Sequence, residues 1–184
     1  MKLALCICPQ WSIETPSFAI GSLKSHIKNN NVVVKQFDLN VQSSLYVRKI
    51  NKDLFYDWGN DKPWNSKRTF INEVLPIFKD FWNEKIEELL KYDVVCFTTY
   101  TSNIMATDYI ARYLKEKNRK IQIWYGGPHS WYSDCGGLVE DGKYREFVDV
   151  ACGSNEGETI IADLVNSYEK NKNYENIKGI YRWN

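Results

Sequence analysis

The chain has only two histidines, His26 and His129. Its five cysteines, Cys6, Cys8, Cys96, Cys135 and Cys152, form neither a C-x-x-C nor a C-x-x-x-C-x-x-C spacing. Zinc or iron–sulfur ligation by this chain alone is therefore disfavoured, because both need several soft donors at one point. The cysteine number is odd, and Cys6, Cys96 and Cys152 lie in or beside apolar runs, so they read as reduced core thiols of a cytoplasmic protein. No run of about 18 apolar residues exists, and no membrane span is expected. The first apolar run breaks at Pro9, too early for the core of a signal peptide. Charge of one sign is also lacking. The 24 basic and 23 acidic residues nearly cancel, which argues against a nucleic-acid surface built on phosphate neutralisation.

Several catalytic and nucleotide-binding signatures are missing as well. No G-x-G-x-x-G follows the first apolar run, so a dinucleotide is disfavoured. No G-x-S-x-G elbow offers a hydrolase nucleophile. Where a phosphoacceptor response regulator would carry paired acids, the sequence reads Cys8-Pro9-Gln10-Trp11. That loop also lacks the hydroxyl-rich phosphate cradle of an FMN-type flavodoxin. No Ser/His/Asp or Cys/His set is evident, so no catalytic residue and no metal ligand is assigned. His26 reads as a surface or packing residue. No internal repeat is evident.

What is present is an α/β rhythm. The 184 residues are most simply one domain, 1–184, with a sizeable core. Leu3 to Ile7 reads as a central strand buried on both faces. Pro16-Ser17 opens a helix to about Lys28, with Phe18, Ile20, Leu23 and Ile27 as its apolar stripe. Val32 to Asp38 is a second strand, completing a right-handed βαβ unit. A helical insertion, about 39–92, follows. Its first part runs from Val41 to about Phe55, and Trp58 to Asn65 is turn-rich. A longer helical pattern, Lys67 to Lys91, places Phe70, Val74, Phe78, Trp82, Ile86, Leu89 and Leu90 in a core stripe, and Pro76 is expected to break or kink it.

The rhythm then resumes. Val94 to Phe97 is a buried strand, and Thr98 to Asn103 a hydroxyl-rich loop. Ile104 to Lys117 is a helix that Ser102 or Asn103 could cap, with Lys115, Lys117, Arg119 and Lys120 at a solvated end. Ile121 to Tyr125 is the fourth strand, running into Gly126-Gly127-Pro128-His129. Two adjacent glycines there serve either a tight turn or a close backbone approach. A short helix with Leu138 and Val139 buried is expected before the fifth strand, Val148 to Cys152. Gly153 to Glu158 then leads into a helix from about Thr159 to Lys170, and Ile177 to Trp183 reads as one more strand.

These elements predict a doubly wound α/β domain with a five-stranded parallel sheet. Ligands of such sheets sit outside the carboxyl ends of the strands, at the switch in strand order. Four unusual loops fall there: Pro9 to Glu14, Thr98 to Asn103, Gly126 to His129, and Gly153 to Glu158.

The order of these pieces resembles a known family. The run Asp93-Val94-Val95-Cys96-Phe97-Thr98-Thr99-Tyr100-Thr101-Ser102-Asn103, the Gly126-Gly127-Pro128-His129 turn, Asn155-Glu156-Gly157-Glu158 and a terminal Ile177-Lys178-Gly179-Ile180-Tyr181-Arg182 together are similar to the amino-terminal cobalamin-binding domain of cobalamin-dependent radical S-adenosylmethionine enzymes. The resemblance covers essentially the whole chain and implies a flavodoxin-like fold. It implies that Pro9, Gln10, Trp11, Thr98, Thr99, Tyr100, Thr101, Ser102, Asn103, Gly126, Gly127, Pro128, His129, Gly153, Glu156, Gly157 and Glu158 meet the cofactor. Hydroxyls would bond the dimethylbenzimidazole tail or its phosphate, and the glycines would let the tail slide against the sheet.

Three departures from the family pattern stand out. The D-x-H-x-x-G motif that supplies a lower cobalt ligand is missing, so Trp11 or its neighbours are expected to face the lower side of the corrin. The spacing between Gly153 and Glu156-Gly157-Glu158 is two residues longer than in the family; the two acids also suit the amino terminus of the following helix. The radical domain with its three-cysteine motif lies outside the chain, and S-adenosylmethionine and the [4Fe–4S] cluster would belong to it, in cis or on a partner protein in trans. The expected function is cobalamin binding within a radical enzyme such as a methyltransferase. The alternative is a flavodoxin-like regulatory or interaction domain that binds no corrin.

Overall fold

The computed structural model describes residues 1–14, 17–50, 62–131, 144–171 and 173–182. Among them, six strands form one sheet in the order β2-β1-β3-β4-β5-β6. These are β1 (Lys2–Ile7), β2 (Val33–Asp38), β3 (Val94–Thr98), β4 (Gln122–Gly126), β5 (Val150–Cys152) and β6 (Ile180–Arg182). The first five pair in parallel and β6 runs antiparallel to β5. The protein is thus α/β with a mostly parallel sheet, and its strand order is compatible with a flavodoxin-like fold. The five expected strands are parallel, and the sheet has six because β6, within the run Ile177 to Trp183 read as one more strand, adds to it antiparallel. Gly179, with φ of +75°, turns the chain back, and its carbonyl accepts the Gly153 N–H at 2.8 Å.

Strand alternation divides the core in two. Ala4, Cys6, Val95, Phe97, Ile123, Tyr125 and Ala151 face one side. There they meet α2 (Leu39–Lys49), α5 (Leu75–Leu89) and α6 (Ile104–Lys117). Leu3, Leu5, Ile7, Val94, Cys96, Trp124, Val150 and Cys152 face the other. They pack on α1 (Phe18–His26) and on the helix after β5, here α8 (Gly157–Lys170). Both faces are covered, which is why β1 and β3 read as continuous apolar runs.

The segment between β2 and β3 is helical where it is described. Asp38 caps α2, its Oδ1 accepting the Val41 N–H at 2.9 Å. Residues 51–61 lie outside the described set, as does the end of the expected first helix there. Pro63 and Trp64, expected in a turn, sit buried in a short helix, α3 (Lys62–Asn65). The next helical stretch begins with α4 (Lys67–Thr69) and continues through a π-helical turn, Phe70–Val74, into α5. Pro76 therefore does not break it. The chain widens one turn earlier, where the Leu75 N–H reaches back to the Phe70 carbonyl, and proline takes the first turn of α5. Trp82 stacks on Phe78 at 5.0 Å between centroids, and its Nε1 donates to the buried Ser43 hydroxyl at 3.1 Å.

Other expectations change in detail. Phe18 does not join the α1 stripe; it is 84% exposed while Ile20 is buried, and Pro16 lies outside the described residues. Asn103 takes the N-cap position of α6 but makes no cap bond with its side chain, which closes its own loop, and the Ser102 hydroxyl goes to the first loop instead. Lys115 is not merely solvated: its Nζ pairs with Asp149 at 2.7 Å, and the same carboxylate accepts the Ile123 N–H. Cys135, Leu138, Val139 and Trp183 lie outside the described residues.

The buried thiols set an alkaline limit. Burial holds Cys6 well above its usual value and pushes Cys8 and Cys96 up to about 12. In the unfolded chain these thiols ionise near pH 9, so the unfolded state sheds protons first and the stability they contribute is lost as pH rises from 9 towards 12. Unfolding free energies from urea titrations between pH 8 and 11 are expected to fall with a slope of at most about 1.4 kcal/mol per pH unit per thiol. Cys96→Ala should flatten that slope, and an unchanged slope would contradict this account.

Candidate functional site

The loops after β1, β3 and β4 form one hydrogen-bonded rim. Thr99 is fully buried, and both its backbone N–H (2.6 Å) and its hydroxyl (2.8 Å) donate to the Gly126 carbonyl. The Thr99 carbonyl accepts the backbone N–H of His129, which opens the short helix α7 (Pro128–Trp131), at 3.1 Å. Asn103 closes its own loop from inside, accepting the Tyr100 N–H and donating to the Thr98 carbonyl. Ser102 donates its hydroxyl to the Gln10 carbonyl at 2.8 Å, joining the first loop to the third strand's loop. Asn40, almost fully buried at the start of α2, holds the first loop from the other side. Its Oδ1 accepts the Trp11 N–H, and its Nδ2 donates to the Trp11 and Ser12 carbonyls.

The two glycines differ. Gly127 has φ of +104°, and a Cβ there would lie 2.7 Å from the Thr99 carbonyl oxygen. Its lack of a side chain is required by the neighbouring loop. A Cβ at Gly126 would meet only the Cys152 Cβ, at an ordinary 3.7 Å. Gly153 also makes room within the protein, because the ring of Tyr181 on β6 crosses the place of its side chain.

Beside this rim a slot of about 210 Å³ opens between α1 and α8, against the sheet. Ala19 and Leu23 form one wall, Ile161 and Leu164 the other, and Cys96, Trp124 and Cys152 the floor. Thr98, Tyr100, Gly126, Gly127, Pro128, Gly157 and Glu158 surround it from the predicted set, with Ser154 and Asn155 from the β5 loop. Tyr100 is backed by Trp11, stacked at 4.1 Å and 21°, and burial raises its phenol above the usual value. Glu158 accepts the Ser22 hydroxyl at 2.9 Å, tying α8 to α1 beside the slot.

The structure thus brings most of the predicted residues to one end of the sheet. Gln10, Thr99, Ser102 and Asn103 build the rim's internal bonding and Pro9 is buried beside them in sequence, whereas Thr101 and Glu156 are exposed. His129 is half-buried and is fixed through its backbone. The slot floor was not anticipated. Period-two alternation carries it: stepping back from Thr98 reaches Cys96, and from Gly126 reaches Trp124. Asn40 and Tyr181 carry no local signal, since their partners are distant in sequence. No group of histidine, cysteine and carboxylate side chains able to hold a metal ion occurs among the described residues. No helix there is long and apolar enough to cross a membrane. No protein-family model matches the chain, and no curated protein matches it.

The glycine pair offers a direct check. Gly127→Ala is expected to destabilise the fold by at least about 1–3 kcal/mol, from positive φ and the clash with Thr99. Gly126→Ala should stay within about 1 kcal/mol of the parent in urea denaturation. Equal losses at the two positions would contradict the difference in their surroundings.

Proposed function

We propose that this chain binds cobalamin, with the nucleotide tail in the slot between α1 and α8 and the corrin over the rim of strand-end loops. The observation that carries this reading is the slot itself. It opens at the carboxyl ends of β3, β4 and β5, where open parallel sheets hold their ligands. Its volume, about 210 Å³, suits one flat ring system and is below that of a whole drug-sized site. Its lining fits such a group: a glycine at the mouth that no packing contact requires, two hydroxyls on Thr98 and Tyr100, and an apolar interior. The strand order supports a flavodoxin-like scaffold for it.

On this reading Thr98 and Tyr100 meet the tail, Gly126 gives it passage, Gly127 sets the loop spacing beside it, and Trp11 holds Tyr100 in place. The chain is then the cobalamin-binding domain of a radical S-adenosylmethionine enzyme of the methyltransferase kind. Its S-adenosylmethionine and [4Fe–4S] cluster belong to a further domain in cis or to a partner in trans. Bound cobalamin supplies methyl-group carriage or tunes the radical step. This chain's residues bind the cofactor and exclude water from it. One observation favours the alternative of a regulatory or interaction domain without a corrin. The hydroxyls of Thr99 and Ser102 are spent on carbonyls of the protein itself.

The two readings separate in one experiment. The purified chain is mixed with hydroxocobalamin, gel-filtered, and its visible spectrum read. Equimolar corrin absorbance eluting with the protein is expected, and Gly126→Val, which fills the slot mouth, should abolish it. Absence of retained corrin absorbance with the parent chain overturns cobalamin binding by this chain.

A further inference from the structure

The slot changes chemistry with depth. Strand register fixes the depth along its floor. Thr98 on β3 pairs with Gly126 on β4, and a Cβ at Gly126 would stand 3.7 Å from that of Cys152 on β5. These residues form a row at the mouth. Two residues earlier in the strands Cys96 pairs with Trp124, roughly 6–7 Å farther in. The α8 wall follows the same order. Gly157 and Glu158 open that helix beside the mouth, and Ile161 and Leu164 lie about one and two turns below them.

Polar side chains are confined to the upper level, where Thr98, Ser154, Asn155 and Glu158 line the slot. Below them are Ile161 and Leu164 on the helix and Cys96 and Trp124 on the sheet. Trp124 contributes no reachable polar atom. Its Nε1 is buried, and so is the hydroxyl of Tyr174, whose ring packs edge-on against the indole at 6.2 Å between centroids. Burial keeps the Cys96 thiol protonated, and a thiol is a weak hydrogen-bonding group.

A flat ring entering this slot keeps polar company at its trailing edge and meets only hydrocarbon and sulfur at its leading edge. A leading edge that carries an amine or ring nitrogens would lose its water with no strong partner to replace it, which is unfavourable. A leading edge of methyl groups gains from leaving water. In a corrinoid tail the ribose is attached to the five-membered ring of the base, so the six-membered ring leads. Resting on the cobalamin reading, we propose that the deep level of the slot selects a base whose leading ring is hydrocarbon, so that the chain takes corrinoids with a methylated benzimidazole and discriminates against those with a purine. The same preference can act on a free base, and the test separates the two sources.

Three corrinoids are titrated against the whole chain in excess cyanide, where each is the dicyano form and no base sits on cobalt. They are cobalamin, its adeninyl analogue, and cobinamide, which has no base. Free 5,6-dimethylbenzimidazole and adenine are titrated alongside. Dicyanocobalamin is expected to bind about 5- to 100-fold more tightly than the adeninyl form, the effect of burying unpaired polar groups, with the free bases in the same order. Cys96→Ser places a hydroxyl in the deep level at nearly constant volume and should narrow the gap between the two base-bearing corrinoids by about 3-fold or more. Urea denaturation checks that this variant folds, and the parent comparison decides alone if it does not. An adeninyl form bound as tightly as dicyanocobalamin overturns the inference and leaves cobalamin binding standing. So does an unchanged gap in folded Cys96→Ser. Cobinamide bound as tightly as dicyanocobalamin overturns the inference together with the placement of the tail in the slot. Dimethylbenzimidazole preferred over adenine, with no corrinoid bound, upholds the selection and overturns the corrin reading. If neither corrinoids nor free bases bind the parent, both fall.

Discussion

Two hydrogen bonds converge on one carbonyl oxygen, that of Gly126, and both come from Thr99. They fix how closely the loops after β3 and β4 approach. At that separation nothing larger than hydrogen fits at Gly127. The Thr99 carbonyl in turn positions the start of α7, and Asn103 and Ser102 pass the constraint on to Tyr100 and to the first loop. The rim is thus stiff because its polar backbone is satisfied by its own side chains. Loops that carry a ligand are commonly held this way by a rigid scaffold.

The two faces of the sheet were given different materials. The face under α2, α5 and α6 is filled with Trp64, Trp82, Phe70, Phe78, Phe97 and Tyr125, whose stacked and tilted rings leave little room. The face under α1 and α8 has Cys96, Cys152, Ala19 and Gly126 near the strand ends. Small side chains there cannot close the gap between helix and sheet, and the slot is what remains. Its place follows from side-chain volume as much as from the strand-end rule, since both faces reach the same rim.

Much of this organisation was legible in the residues. Continuous apolar runs identified β1 and β3, and the Gly126-Gly127 pair pointed to a close approach, because both signals are local. The identity of the approaching group was not legible: it is the backbone of Thr99, 28 residues before Gly127 in the chain and adjacent only after β3 and β4 pair. Of the break or kink expected at Pro76, the break does not occur, for a similar reason. The proline's effect depends on whether the preceding turn can widen, and the π-helical turn at Phe70–Val74 is a tertiary adjustment. Phe18 fitted the helical period but not the burial: it opens α1 and is exposed, while Ile20 two residues on is buried. The acids at Glu156 and Glu158 divided once their surroundings were fixed, one exposed and one bonded to Ser22.

The Ser22–Glu158 bond has a bearing on how the molecule comes together. It joins residues 136 positions apart, and the two helices it links are the two walls of the slot. The slot exists only when segments far apart in the chain have met, which makes it one of the most non-local features of the fold. Anything lodged there touches both ends of the sequence at once. An occupant would then act as a fastener for the entire α/β layer, and its departure would loosen α1 and α8 together.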